Sequence, residues 1–285
     1  MAMQVIPTGA ALGAEVRGID LTQSLSAEEF DAIEQAWLDH SVLLFRDQTL
    51  TDDELIRFSQ HFGPLDIAPA SATDMAGAQE KSRPEIWIIS NVIENGKPIG
   101  ALGDKEAEWH TDMSYVDEPP MASILNAREI PKAGGDTSFG NMYKALETMP
   151  EELRLEIENR VCNHDSSTTS VGELRAGAGE VVDVREAPGA KHPMIRTHPA
   201  TGGKALYLGR RLNGYVQGMD LDASEALLDA LWAHCTKPEF TWTHQWKVGD
   251  LLVWDNRCTI HRRDSFNGAE RRVMHRTQIK GDRPV

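Results

Sequence analysis

Short runs of strand-forming residues, separated by turns, recur along most of this 285-residue chain. A short apolar run fills 41–45, 121–129 is typical of a strand, and 240–246 alternates aromatic and polar residues in the manner of a half-buried strand. Gly-Gly pairs such as Gly202-Gly203 mark turns between these runs. The pattern predicts a mainly β chain with a few peripheral helices, of the β-sandwich or jelly-roll type.

Two helix starts can be located from their capping residues. Ser26 is followed three residues later by Glu29, and Thr51 by Glu54, which is the spacing of a capping box. Apolar residues at helical intervals follow both pairs, so each pair predicts a helix that packs one face on the core. Two further helices are predicted, at 142–159 and 224–234.

Two polar stretches, 66–84 and 163–191, are predicted to be long loops because they are rich in small and turn-forming residues. Loops of this length inside a compact domain are usually functional or disordered. No linker or repeat divides the sequence, so 1–285 is interpreted as one domain with two inserted loops.

The charge balance narrows the class of partner. The chain has 29 basic and 44 acidic residues, a formal net charge of −15. Because a net anion is repelled by phosphates, nucleic acid and acidic membranes are not expected partners. No apolar run approaches the roughly 18 residues of a membrane span, and the first residues do not have the basic and apolar regions of a secretory signal.

The cysteines favour a reducing compartment. Cys162, Cys235 and Cys258 are odd in number, widely separated and without a Cys-x-x-Cys pair. Reduced thiols of this kind are typical of cytoplasmic proteins, and we expect this location.

The strongest chemical signal is His110 with Asp112. On a strand, residues two apart point to the same face, so one imidazole and one carboxylate can approach a single point. His261 is the best candidate for a third ligand. Two histidines and one carboxylate leave three positions of an octahedral ion open, as in non-haem Fe(II) oxygenases. Catalytic Zn²⁺ accepts the same ligand set, so the triad alone leaves the metal open.

Arginines are concentrated downstream of this triad. The window 257–276 holds six arginines and no lysine, although the chain as a whole is acidic. Arginine is preferred where a carboxylate is bound through two hydrogen bonds. With a period of two, Arg272 and Arg276 share one strand face, roughly 13 Å apart at about 3.3 Å per residue. This spacing suits two different anions, one on each side of a metal.

In combination, these residues resemble the TauD/TfdA family of Fe(II)/2-oxoglutarate-dependent dioxygenases. The shared pattern is His110-x-Asp112, the distal His261 and an arginine eleven residues later, Arg272. Four further segments resemble family segments in the same order: GGDT at 134–137, HPATGGKALYL at 198–208, THQWKVGD at 243–250 and WDNRCTIH at 254–261. The resemblance extends through most of the chain.

The resemblance implies a double-stranded β-helix core, of the jelly-roll or cupin-like kind. It implies Fe(II) on His110, Asp112 and His261, with 2-oxoglutarate chelating the iron beside O₂. The distal carboxylate of 2-oxoglutarate is then expected on Arg272 and the Thr137 hydroxyl. Arg276 matches the position that holds the sulfonate or carboxylate of the substrate in several family members. The implied reaction hydroxylates a small organic anion while 2-oxoglutarate is decarboxylated to succinate and CO₂. A homo-oligomer, a dimer or tetramer, is also expected.

Three positions depart from the taurine-specific pattern. Ala68 and Ser71 stand where those members have His and Tyr, and Glu106 replaces an Asn shortly before the His-x-Asp pair. Taurine itself is therefore not the expected substrate; a sulfonate, sulfate ester, aryloxy or other carboxylate is. Glu106 is expected either to contact the substrate or to pair with Arg276.

Two other functions remain open on the sequence. A zinc hydrolase or isomerase on a cupin-like barrel would use the same triad, although it does not account for Arg272 or Thr137. A non-enzymatic carboxylate-binding protein on the same fold is the other alternative.

Overall fold

The computed structural model of the protein describes residues 3–67 and 83–285. Positions 68–82 of the predicted loop 66–84, and with them Ala68 and Ser71, lie outside the described residues. The helices of the described residues are α1 (Ala27–His40), α2 (Asp52–Gln60), α3 (Met142–Glu147), α4 (Glu151–Ile157) and α5 (Leu221–Cys235), with single 3₁₀ turns at Val184–Glu186 and Pro238–Phe240.

Strands make up most of the remaining regular structure. They are β1 (Gln4–Pro7), β2 (Ala14–Arg17), β3 (Val42–Phe45), β4 (Trp87–Ser90), β5 (Ile93–Glu94), β6 (Lys97–Pro98), β7 (Ala101–Leu102), β8 (Ala107–His110), β9 (Ala122–Glu129), β10 (Thr137–Asn141), β11 (Val161–Asp165), β12 (Gly189–Pro193), β13 (Ile195–Thr197), β14 (Lys204–Leu206), β15 (Tyr215–Val216), β16 (Thr241–His244), β17 (Leu251–Asp255), β18 (Thr259–Arg263) and β19 (Val273–Ile279).

Two sheets form the central structure. The larger has eight strands in the order β1-β2-β3-β17-β9-β19-β4-β7, and the smaller has four in the order β16-β10-β18-β8. Pairing is antiparallel apart from β2 with β3 and β4 with β7. Aromatic residues of the two sheets pack between them. The ring centroids of Phe139 of β10 and Trp254 of β17, for example, are 5.6 Å apart.

Helices cover the outer faces of this pair of sheets. Helices α1 and α2 contribute Ile33, Trp37 and Phe58 to an apolar cluster on the larger sheet. Helices α3 and α5 join a separate cluster that contains Cys258 and Ile260, beside the smaller sheet. The prediction of a mainly β chain with peripheral helices is confirmed. The apolar clusters between the helices and the two sheets hold the strands in place.

The predicted helix starts are confirmed at both capping boxes, since Ser26 and Thr51 each accept a hydrogen bond from the glutamate three residues on. The single helix predicted at 142–159 is wrong: Pro150 separates α3 from α4, because a proline lacks the N–H that would continue a helix. The helix predicted at 224–234 begins earlier, at Leu221, where the Asp220 side chain caps it.

Strand residues enter both ends of the second predicted loop, 163–191, because β11 continues to Asp165 and β12 begins at Gly189. The irregular part between them lies against the smaller sheet, where the Glu108 amide donates to the Ser170 carbonyl. Among the described residues, no helix has both the length and the apolar character needed to cross a bilayer.

Candidate metal centre and active site

Strand pairing brings the two histidines of the predicted triad together. His110 ends β8, His261 lies in the middle of β18, and the two are direct partners in the antiparallel register. Their ring centroids are 4.2 Å apart. Asp112 follows two residues after β8 ends, and its Oδ1 lies 3.8 Å from His110 Nε2 and 3.9 Å from His261 Nε2. All three side chains are buried.

The imidazoles are prepared to act as neutral ligands. The Nδ1–H of His110 can donate to the Glu108 carbonyl at 2.6 Å, which leaves the Nε2 lone pair free on the side of Asp112. Burial, reinforced by the neighbouring His261, holds the pKa of His110 well below its ordinary value. Burial also lowers the pKa of His261. Two neutral imidazoles and one carboxylate, aimed at one another at this spacing, fit a divalent transition metal.

Asp112 is held as a carboxylate from both sides. Burial raises the pKa of Asp112, but Arg276 and His261 outweigh this effect, so the pKa lies below its usual range. Ser123 donates to Asp112 Oδ2 at 2.7 Å, and Arg276 Nη1 donates to Oδ1 at 3.2 Å. The sequence predicted the substrate anion, or else Glu106, as the partner of Arg276; in the structure Arg276 pairs with Asp112.

Arg276 of β19 and Arg272, which directly precedes β19, both line the cavity, as predicted, although the strand register shifts between Val273 and Met274. The Arg276 guanidinium lies 4.1 Å from the centre of the Trp87 ring and donates to Gln278 at 3.4 Å. Arg271, on the opposite face, is exposed and paired with Glu129 and Glu94.

Arg272 differs from Arg276 in having no carboxylate partner among residues 3–67 and 83–285. It is 2% exposed, its Nη2 donates to the Gly135 carbonyl at 3.3 Å, and its Nε has no partner there. Burial lowers the pKa of Arg272 to about 9, and the neighbouring Arg263 adds to this effect. Gly135 has a φ of +70°, and a Cβ at this position would lie 3.2 Å from Arg272 Nε, so the turn lets the guanidinium pass close to the backbone. A buried cation without an anion is costly, which makes Arg272 a candidate anion site.

Thr137 lies at the start of β10. Its hydroxyl oxygen accepts a hydrogen bond from Trp246 Nε1 at 3.0 Å, so the hydroxyl proton is free to be donated to another acceptor. Thr137 and Arg272 both line the cavity that also contains the triad.

The cavity has a volume of about 390 Å³. A large part of its wall is apolar, formed by residues of both sheets and of the segment after β8: Trp87, Ile89, Leu102, Met113, Leu125 and Trp254. Its outer side is formed by part of the loop between β11 and β12, residues 166–178, which we call the cover segment. The residues of the cover segment that line the cavity are Thr169, Ser170, Glu173, Leu174, Arg175 and Ala176.

Glu106 does not line this cavity. Its half-exposed carboxylate accepts a hydrogen bond from Arg262 Nη1 at 3.0 Å on the outside of the smaller sheet. The structure brings Glu106 neither to Arg276 nor to the triad. Residue 106 precedes β8, and the register shifts between the pairs His110–His261 and Ala107–Arg263, so the regular alternation from His110 does not extend to it. Arg276 therefore pairs with Asp112, and Glu106 pairs with Arg262.

Two arginines of the cavity were not singled out from the sequence. Arg210 and Arg175 both line it, Arg210 from the segment after β14 and Arg175 from the cover segment. Neither lies on a regular strand, so no periodicity distinguishes them from solvent-facing arginines. For Arg175 the only signal in the sequence was the length of the predicted loop 163–191, and for Arg210 there was none.

A second buried group, His198 with Asp255 and Cys258, also has metal-ligand residue types. Both carboxylate oxygens of Asp255 are already committed to Arg257, at 2.8 and 2.7 Å, and His198 lies 3.0 Å away. This group is a balanced ion-pair network that stabilises the turn after β17.

Comparison with known proteins agrees with this site. The family model described as "Taurine catabolism dioxygenase TauD, TfdA family" matches residues 4–278. The chain belongs to the TauD/TfdA family. An alpha-ketoglutarate-dependent 2,4-dichlorophenoxyacetate dioxygenase of Cupriavidus pinatubonensis is 32% identical, with 100% of both chains covered. An alpha-ketoglutarate-dependent sulfate ester dioxygenase of Pseudomonas putida is 30% identical over 99% of this chain and 91% of the relative.

The similarity extends to solved structures. The crystal structure of AAD-2 in complex with Mn(II) and N-oxalylglycine superposes with a TM-score of 0.79 at 29% identity, covering 100% of this chain and 99% of the other. The predicted jelly-roll core of the TauD/TfdA type is therefore confirmed. This member of the family is a 2-oxoglutarate-dependent dioxygenase, a class of oxidoreductases that uses Fe(II), 2-oxoglutarate and O₂.

Proposed function

We propose that this TauD/TfdA-family enzyme binds Fe(II) through His110, Asp112 and His261, binds 2-oxoglutarate through Arg272 and Thr137, and hydroxylates a small organic anion. When Fe(II) is bound, it supplies the chemistry that couples O₂ reduction and decarboxylation of 2-oxoglutarate, to succinate and CO₂, to hydroxylation of a substrate C–H bond. The observation that carries the proposal is the unpaired, buried Arg272 in the same cavity as an intact triad.

Arg272 separates this function from the alternatives. A planar guanidinium accepts a carboxylate through two parallel hydrogen bonds, and the Thr137 hydroxyl lies on the same wall to donate a third. A zinc hydrolase with the same triad would not need a buried arginine as an anion site. A non-enzymatic carboxylate-binding protein would not need His110 to be fixed in the tautomer that binds a metal. The arrangement therefore favours a co-substrate with a carboxylate at its far end.

The chain's own residues have separable tasks. Asp112 is kept ionised by Arg276 and Ser123, and the Glu108 carbonyl keeps the ligating nitrogen of His110 unprotonated. Arg272 orients one end of the co-substrate. The apolar wall excludes water, which strengthens each of these charged interactions.

The substrate class follows from the cavity and the relatives. The cavity combines an apolar wall with arginines, so it suits an apolar body that carries a carboxylate, sulfonate or sulfate. The two relatives reported above are named for an aryloxy carboxylate and for sulfate esters. Hydroxylation of a carbon next to an ether or ester oxygen gives a product that collapses to a carbonyl compound and releases the oxygen-linked group. The departures from the taurine-specific pattern at Ala68 and Ser71 speak against taurine.

Arg276 was assigned from the sequence to the anion of this substrate. It lines the cavity, and its Nε has no partner among the described residues, but its charge is already shared with Asp112. Glu106 lies outside the cavity and carries no part of this proposal.

We also infer a cytoplasmic location, one domain and a homo-oligomer. Three buried, unpaired cysteines support a reducing compartment. A single family model over 4–278 supports one domain. The negative charge supports the absence of nucleic acid and membrane partners.

The test begins with the metal and co-substrate. Adding 2-oxoglutarate to the anaerobic Fe(II) protein should give a weak visible absorption band, and admitting O₂ should give succinate. The His261→Ala variant is expected to lose both while its far-ultraviolet circular dichroism is unchanged. A colourless protein whose turnover needs Zn²⁺ and consumes no 2-oxoglutarate would establish the hydrolase instead.

A further inference from the structure

Arg210 and Arg175 form a second cationic group in the cavity, separate from Arg272. Arg210 is 7% exposed, and Arg175 is half-buried in the cover segment. Neither forms an ion pair with a carboxylate of the residues that the structure describes, and each donates to a backbone carbonyl instead.

The two guanidinium groups converge on one point. Arg210 Nη1 donates to the Thr168 carbonyl at 2.6 Å, and Arg175 Nε donates to the same oxygen at 3.0 Å, so these nitrogens are at most 5.6 Å apart. The Tyr115 ring lies between them, 4.3 Å from Arg175 Cζ and 6.0 Å from Arg210 Cζ. A shared carbonyl accepts a hydrogen bond from each but cannot neutralise two positive charges.

The nearby carboxylates are committed elsewhere. Asp165 accepts hydrogen bonds from Ser167, Thr168 and Asn213. Glu173, on the cover segment, is paired with Lys105. Burial lowers the pKa of Arg210, and Arg175 lowers it further, so that together they outweigh the opposite effects of Asp165 and Asp112. Two cations at this separation, with little access to water, make a site for an anion.

The position of Arg210 relates this site to the metal ligands. His110 pairs with His261 on one side of β8 and, through an isolated backbone bridge, with Arg210 on the other. The Thr111 amide donates to the Gly209 carbonyl at 2.9 Å and fixes this approach. Arg272 instead directly precedes β19 of the larger sheet. The cavity therefore offers two anion sites that reach the triad from different sheets.

We propose that Arg210 and Arg175 bind the carboxylate, sulfonate or sulfate of the primary substrate, a role that rests on the proposed function. Arg272 then binds 2-oxoglutarate, and Arg276 forms the ion pair with Asp112. Tyr115, Met113 and Leu174 line the cavity and provide apolar surface for the body of the substrate. Because Arg175 lies on the cover segment, the substrate anion would also tie that segment to the smaller sheet.

The test compares a charged substrate with its uncharged analogue. The probes are 2,4-dichlorophenoxyacetate, its primary amide and a straight-chain alkyl sulfate, and the better-used anion is taken forward. For Arg210→Gln, the substrate KM should rise at least tenfold, while the 2-oxoglutarate KM stays within about twofold. The preference for the anion over its uncharged analogue should collapse. Arg210→Lys should recover part of that preference.

Matched controls exist for both arginines. Arg211 is the next residue, but it is paired with Glu225 and Asp229 of α5, and Arg211→Gln should leave the anion preference unchanged. Arg185 is exposed and paired with Asp183, so Arg185→Gln serves as the control for Arg175→Gln. Arg175→Gln is also the independent test if Arg210→Gln does not fold, because the cover segment contributes little to the core.

A binding measurement supplements the kinetics. In metal-free protein, the chosen anion should raise the melting temperature and protect the Arg175–Ala176 bond from trypsin, and both effects should vanish in Arg210→Gln. If Arg276→Gln abolishes the anion preference and Arg210→Gln does not, the inference is overturned while the proposed function stands. If the enzyme turns over uncharged substrates as efficiently as anions, both this inference and the substrate class in the proposed function are wrong.

Discussion

Arg276 Nη1 lies 3.2 Å from Asp112 Oδ1, the same carboxylate oxygen that faces the Nε2 atoms of His110 and His261. Arg276 thus lies beside the candidate metal centre, and its positive charge balances the negative charge of the Asp112 carboxylate. A ligand carboxylate in a dry cavity would otherwise take up a proton, because burial raises its pKa. Arg276 keeps Asp112 ionised before any metal arrives.

This pairing predicts strong coupling between the two residues in metal-free protein. Asp112→Asn leaves a buried guanidinium without its partner, which should cost about 3–5 kcal/mol of unfolding free energy. Adding Arg276→Met should recover at least half of that loss, because the unpaired charge is gone. Urea unfolding of both single variants and the double variant measures the coupling.

The exposed pair Arg271–Glu129 is the matched control, since Arg271 lies only five residues before Arg276 but faces solvent. The corresponding double-variant cycle should give no more than about 1 kcal/mol. Equal coupling in the two pairs would show that Asp112 and Arg276 are solvated in solution.

The parts of the site that sequence could predict are those within one short stretch of chain. Alternation over 271–276 predicted that Arg272 and Arg276 face the cavity and Arg271 faces solvent, because a period of two is a local property. The three side chains lie so, although β19 begins only at Val273 and its register shifts between Val273 and Met274. The contact of Arg276 with Asp112 joins residues 164 positions apart. It depends on how two sheets pack, which no local pattern encodes.

The same limit explains why Arg210 was missed. Arg210 and Arg211 are adjacent and chemically identical in the sequence, yet one is buried in the cavity and the other is paired on α5. The segment is irregular, so no periodicity separates them. Glu106 shows a different error: its replacement of a family Asn suggested a role at the site, but it precedes β8, beyond a shift in the strand register, and pairs with Arg262.

A pH dependence of stability is predicted from His164. Its ring is 1% exposed, neither nitrogen has a partner in the described part of the chain, and it packs against His192 and Tyr207. Burial holds the pKa of His164 well below its ordinary value, with His192 adding to the effect. The folded state therefore keeps it neutral, while the unfolded state takes up a proton near pH 6.5.

The sign follows from linkage. The stability associated with neutral His164 is fully present above about pH 6.5 and is lost as the pH falls, by up to about 1.4 kcal/mol per pH unit. His164→Leu should reduce that slope by a similar amount in urea unfolding between pH 5 and 7.5. The exposed His61, changed to Asn, should leave the slope as in the wild type. A steeper slope in His164→Leu would contradict the assignment.

The cysteines are predicted to be inert in the folded protein. Burial raises the pKa of Cys162 and of Cys235 to about 12, and raises that of Cys258 as well. Because the thiolate is the reactive form, labelling at pH 8 should be at least about a thousandfold slower than in the unfolded chain. A coloured disulfide reagent should count three thiols in denaturant and almost none without it. Rapid labelling of native protein would show that one cysteine is accessible.

The last prediction separates the function of Arg272 from its cost. Arg272→Lys replaces a two-bond guanidinium with a point charge, and one charged hydrogen bond contributes roughly 1.5–3 kcal/mol. The 2-oxoglutarate KM should therefore rise tenfold or more, at about 1.4 kcal/mol per decade, with little change in the substrate KM. Arg271→Lys is the matched control, one residue away on the exposed face.

Stability should change in the opposite direction. In protein without co-substrate, Arg272 is a buried cation with one carbonyl contact, and Arg272→Met removes that charge. We expect Arg272→Met to be as stable as the wild type or more stable, by an amount on the order of 1 kcal/mol, while no longer gaining stability when 2-oxoglutarate is added. Urea unfolding with and without 2-oxoglutarate measures both effects. A variant that is less stable by several kcal/mol, yet still stabilised by 2-oxoglutarate, would mean that Arg272 holds the fold together and that the co-substrate binds elsewhere.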